Sequence, residues 1–262
     1  METLKAKWQE MGLYRRILLA VMLAEIVGFL IAYVIVVNRP GLEYSGALLY
    51  PHTEGELQIY EGKIDGEPAR FAVSPEGEIS YQWGEYTYGP WQVVADPTAL
   101  PDGFRGENGL EIRRGDEVIF RGTYSPHSFN LLIDENGDPV RGTFSVGSVG
   151  GGATLYYVNG QEVTREEWYE PGLGALARIV LTPELTHQGN LLLWFGTTLI
   201  ALLNIFQICF PHFFFRLGLQ LRVRNVNAVE PSDFYIAMEK LEWAILAVLC
   251  LVLYATGLTV IL

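Results

Sequence analysis

Three long, predominantly apolar runs constrain this chain more than any other feature. Ile17–Val37, Leu191–Phe210 and Leu241–Leu262 are each 20 to 22 residues long. Wound as helices, each spans roughly 30 Å, the thickness of a bilayer core. A composition that is 50% hydrophobic over 262 residues agrees, being too apolar for one ordinary soluble domain. The expected fold class is an α-helical membrane protein with three transmembrane helices.

Basic residues set the expected orientation. Lys5, Lys7, Arg15 and Arg16 precede the first run, and Arg216, Arg222, Arg224 and Lys240 separate the second from the third. Such residues concentrate on the cytoplasmic side. The expected layout has a cytoplasmic N-terminus at 1–16, spans at 17–37, 190–210 and 241–262, and a cytoplasmic loop at 211–240. Residues 38–189 and the C-terminus then lie outside. The first run exceeds the apolar core of a signal peptide, about 7–15 residues, and no small-residue cleavage site follows it. It reads as an uncleaved anchor.

The segment 38–189 holds 23 acidic and 10 basic residues, a net of −13, while the rest of the chain carries +1. Such a segment repels nucleic acid and anionic polymers and suits cations; a plainly solvated surface has the same composition. Both cysteines, Cys209 and Cys250, fall in apolar runs, and no Asn-x-Ser/Thr sequon occurs. A cysteine-free outer domain must be held by its own core, and about 150 residues can bury one. These features favour a bacterial plasma membrane.

Short runs rich in β-branched and aromatic residues recur along this segment, among them LQIY at 57, EISYQW at 78, EVIFRGTY at 117 and TLYYV at 154. Asp65-Gly66, Asp102-Gly103, Asn108-Gly109, Asn136-Gly137 and Asn159-Gly160 punctuate them, and such pairs supply the positive φ that tight hairpins need. The expectation is an all-β antiparallel domain, barrel or sandwich. One short helix interrupts it at VTREEWYEPG, where Thr164 and Glu167 form a capping box and Pro171-Gly172 ends the helix.

Tyr81, Trp83, Tyr86, Tyr88 and Trp91 place five aromatics within eleven residues around a turn at Gly84. On a hairpin, Tyr81 and Trp83 share one face and Tyr86 and Tyr88 another, so cross-strand packing accounts for them. Exposed, the same rings would form a platform for a glycan or peptide ligand. Arg114-Gly115-Asp116 and SVGSVGGGAT (145–154) read as a turn and a loop. DENGDP (134–139) spaces acids as some calcium loops do but lacks the closing Glu, so it too reads as a turn. His52, His127, His187 and His212 are scattered, and no nucleophile, metal or cofactor motif is present. The chain is expected not to be an enzyme, with no metal and no cofactor.

Glu25 stands in the first run about 12 Å from its inner end, and Asn204 about 10 Å from the inner end of the second. A charge at that depth costs at least about 2.5 kcal/mol. The two are expected to pair, a protonated Glu25 bonding Asn204 and joining two helices; the functional alternative is a proton or cation relay.

The stretch from Phe210 to Leu249 carries Phe210-Pro211, Arg222, Arg224 and Glu230-Pro231-Ser232-Asp233. It resembles the ending of a group of uncharacterised membrane proteins from gut Firmicutes, departing from them at Val229 and Phe234; TYGPWQVVADPTALP at 87–101 corresponds loosely to a second stretch. The resemblance implies the same layout and no activity. In physical terms, Pro231 breaks the preceding structure, Ser232 caps the next helix and Asp233 suits its N-terminal end. Arg216, Arg222 and Arg224 beside Phe213–Phe215 suit an inner interface with anionic lipid, and docking of a cytoplasmic partner is the alternative role. The functional expectation is a binding or sensing module in the lipid bilayer, with a cationic or glycan ligand outside. The second is a structural or accessory subunit meeting a protein partner or a second copy, and the third an extracytoplasmic enzyme.

Overall fold

The computed structural model describes residues 11–101, 103, 109–125, 131–140, 144–149, 153–211, 213–220 and 229–261. It divides into two compact units, Pro40–Thr186 and the flanking segments Met1–Arg39 with His187–Leu262.

Helix α1 spans Leu13–Val37. The Pro40–Thr186 unit adds α2 (Arg165–Tyr169) and α3 (Leu173–Leu181). Then follow α4 (Leu191–Cys209), α5 (Phe213–Gln220) and α6 (Asp233–Thr259). Helices α1, α4 and α6 are long and apolar enough to cross a membrane. They share one interior of Leu18, Leu19, Met22, Ala201, Ile208, Trp243, Ala247 and Tyr254. Each turns a minority of its residues to this interior, as expected of helices whose remaining surface faces lipid. Helix α6 starts eight residues before the apolar run because Ser232 caps it, accepting from Tyr235 N at 3.2 Å.

The other unit is a meander. Strands β1 (Gly41–Tyr44), β2 (Ala47–Glu54), β3 (Leu57–Ile64), β4 (Glu67–Val73) and β5 (Glu78–Trp83) each pair with the next. So do β6 (Tyr86–Ala95), β7 (Gly109–Arg114), β8 (Glu117–Ser125), β9 (Leu131–Asp134) and β10 (Pro139–Val140). A separate three-stranded sheet holds β11 (Phe144–Val149), β12 (Ala153–Val158) and β13 (Gln161–Val163), and β14 (Leu185–Thr186) returns to pair with β1. The eleven-stranded sheet is thus open, with β10 and β14 at its ends. Of the expected barrel or sandwich, the antiparallel sheet is present, and among the described residues it is not closed into a barrel.

The hairpins have local causes. Asp65-Gly66 and Asn159-Gly160 have positive φ at both residues (51° and 87°, 54° and 78°), which gives the twist that adjoining strands need. The pairs at 102–103 and 108–109 fall partly outside the described residues. Along β4, β5 and β6 burial alternates, and the buried face belongs to one core with Leu176, Ala177 and Ile179 of α3. Helix α3 was not anticipated, since the sequence suggested one short helix where there are two. Its nine residues follow α2 after only Glu170–Gly172, and Gly172 offers no side-chain cap, so the usual start signal is missing.

Candidate functional site

Cross-strand register decides the fate of the aromatic cluster. Tyr81 lies opposite Tyr88 and Trp83 opposite Tyr86, which puts all four on one face rather than two. Between Tyr88 and Trp91, β6 carries one more residue than β5 does between Ile79 and Tyr81, and this bulge returns Trp91 to the same side. That side is the core. Tyr81, Trp83, Tyr88 and Trp91 are 1%, 2%, 6% and 2% exposed; only Tyr86, at 41%, reaches solvent. The exposed platform for a glycan is therefore not formed.

What the rings build instead is a floor for α2. Trp83 stacks on Tyr169 with centroids 3.6 Å apart and donates to Ile64 O at 3.1 Å. Tyr88 OH donates to Glu166 O at 2.7 Å, and Tyr169 OH donates to Asp65. Burial first, then the hydrogen bond to Asp65, pushes the Tyr169 phenol up to about 12, so it is a fixed donor at neutral pH. The α2 capping box is complete, with Glu167 N on Thr164 Oγ1 at 3.2 Å and Thr164 N on Glu167 Oε2 at 2.8 Å.

Seating α2 and α3 in this way leaves a cleft of about 730 Å³ beside them. Its walls are the β1–β2 turn (Tyr44, Ser45), Asp65, Leu132, Val140, the β12–β13 turn and the α2–α3 junction. Asp65 and Glu170 are the charged side chains among the described lining residues. Glu170 also meets Arg114 at 3.2 Å, and Arg165 lies over the Trp83 ring, 5.0 Å from its centroid. Sequence reasoning missed this cleft because residues more than a hundred positions apart converge on it.

The expected pairing of Glu25 with Asn204 is not made. Asn204, fully buried, donates to Trp243 O at 3.0 Å and touches Met22 Sδ at 3.6 Å. Met22 is thus level with Asn204, and Glu25 lies three residues, about 4.5 Å, farther along the helix. Its Oε2 is buried without a hydrogen-bond partner. Thr197 is buried with Asn204, and Thr198 bonds Tyr254 OH at 2.8 Å. The polar face of α4 therefore points into the bundle.

At the expected inner end, Arg15 Nε and Nη2 donate to Ile208 O at 2.9 and 2.6 Å, satisfying a carbonyl that the end of α4 leaves open. The sequence offered Arg15 only as a topological charge. Arg216, Phe213 and Phe214 are exposed on α5; Arg222 and Arg224 lie outside the described residues. Glu230 and Asp233 are exposed, Pro231 is half-buried, and no ion pair among the described residues joins either acid to an arginine. DENGDP is a turn, Asp134 Oδ1 accepting from Asn136 N and Asp138 N at 2.9 and 2.8 Å.

A family of unknown function (DUF6199) matches residues 195–259, from α4 to the end of α6. The Pro40–Thr186 unit lies wholly outside that match. No curated protein and no solved structure matches the chain.

Proposed function

We propose that this protein is a membrane-anchored binding module that holds its β unit outside a bacterial plasma membrane, with the N-terminus in the cytoplasm. The observation that carries the reading is the cleft beside α2 and α3, large enough for a small molecule. Support for the orientation comes from the basic residues at 5–16 and 216–240, together with the acidic, cysteine-free composition of 38–189. This reading gives the chain no catalytic role; Asp65 bonds Tyr169 and Glu170 meets Arg114, contacts that suit carboxylates held in place to receive a ligand. A second reading, an accessory subunit, draws on the unpartnered oxygen of Glu25; with Thr197 and Asn204 turned inward, little of that polar face is left for a partner.

Ala175 lines the cleft, and both native cysteines lie in apolar helices. In intact bacterial cells Ala175→Cys is expected to react with a membrane-impermeant maleimide, whereas Arg216→Cys reacts only after permeabilisation. The opposite pattern, or silence at position 175, would overturn the reading.

A further inference from the structure

We infer that the cleft takes a small organic cation, an amine joined to an apolar or aromatic body. The inference rests on the binding-module reading and gives its ligand a chemical class. A volume of about 730 Å³ falls within the range of small-molecule sites, about 300–1,000 Å³. Leu132, Val140, Val158 and Leu173 supply apolar wall, and Trp168 and Tyr169 supply rings. The charge on the described lining is entirely negative, from Asp65 and Glu170. Asp65 spends one oxygen on the Tyr169 hydroxyl, and a carboxylate has lone pairs for further donors. Glu170 is held by Arg114 in an exposed pair, a kind of contact weak enough to exchange for a ligand ammonium.

One further feature points the same way. The Arg165 guanidinium sits 5.0 Å from the Trp83 centroid and 6.0 Å from that of Tyr169, so this aromatic stack already holds a cation by its ring faces. A carboxylate ligand would meet like charge from Asp65 and Glu170. A neutral ligand could donate only an uncharged hydrogen bond to them, weaker than the charge-assisted bond of an ammonium.

The test uses the full chain in nanodiscs of zwitterionic lipid, titrated with phenylpropylamine, phenylpropanol and phenylpropionate. These share one body and differ in the head group. Tryptophan fluorescence and thermal shift report binding. The amine is expected to bind at least about tenfold more tightly than the alcohol, with no binding of the carboxylate. Asp65→Asn with Glu170→Gln should bring the amine down to the alcohol's affinity and leave the alcohol unchanged. Asn tolerates the positive φ at position 65 and still accepts from Tyr169, so the fold is retained, as circular dichroism can verify. Equal binding of all three probes, a preference for the carboxylate, or no binding overturns the inference. If Ala175→Cys is labelled from outside but no amine preference appears, the cation class falls and the binding module stands. If position 175 is silent, the module itself falls.

Discussion

Asp96 shows how much one side chain organises between strands. Its Oδ1 accepts from Thr98 N at 2.9 Å and so starts the turn at Pro97–Ala99. Its Oδ2 meets Arg121 Nη2 at 3.0 Å, and Arg121 also reaches Glu111 and Glu135. The Thr98 bonds first, then Arg121, hold the Asp96 carboxyl down at about 2. A carboxyl whose folded pKa lies below its ordinary value stabilises the fold above that ordinary value. The contribution is lost as pH falls from 3.8 toward about 2. Asp96→Asn is therefore expected to lower stability at neutral pH and to flatten the acid limb in that window, the two curves meeting at its lower end. Acid titration followed by tryptophan fluorescence checks this; parallel curves would refute it. The network joins residues 96, 98, 111, 121 and 135, and no local sequence pattern links positions so far apart.

At the scale of elements, most helices and hairpins were legible. The three apolar runs became α1, α4 and α6, the Thr164–Glu167 signature became α2, and Asp65-Gly66, Asn136-Gly137 and Asn159-Gly160 became turns, because each of these is decided within a few residues. Contacts between elements were not legible. Arg15 is the clearest case, since its bond to Ile208 O joins α1 to the end of α4. A cation at a helix C-terminus contributes about 1–2 kcal/mol when partly buried. Arg15→Gln should destabilise the helical unit by about that much in denaturant titrations in nanodiscs. Arg15→Lys should recover less than half, because an ammonium cannot repeat the guanidinium fork. Full recovery by lysine would mean that charge alone matters.

At the scale of the molecule, the chain enters and leaves the β unit at one edge of the sheet. Gly41 lies directly opposite Thr186 across the β1–β14 pair, a separation of about 5 Å. On the far side of the junction, Gly189 N and Asn190 N bond Val260 O and Gly257 O at 2.9 Å each, so the helical unit has its own closure. Replacing residues 40–186 with a short Gly/Ser linker is thus expected to leave a monodisperse helical protein of unchanged far-UV helical signal per helix. Aggregation would show that the bundle needs the β unit. By itself the sequence determined the three apolar helices, the acidic β-rich segment between the first two, and the turn and cap residues. Those properties depend on hydropathy summed over a segment or on backbone preferences of neighbouring residues. Tertiary structure alone decided that the sheet stays open, that four of the five aromatics are core, and that Asn204 meets Met22 and Trp243 rather than Glu25. It also decided that Asp65 and Glu170 face one cleft. Strand register, helix rotation and the seating of α3 fix these outcomes, and each is set by burial between residues far apart in the chain.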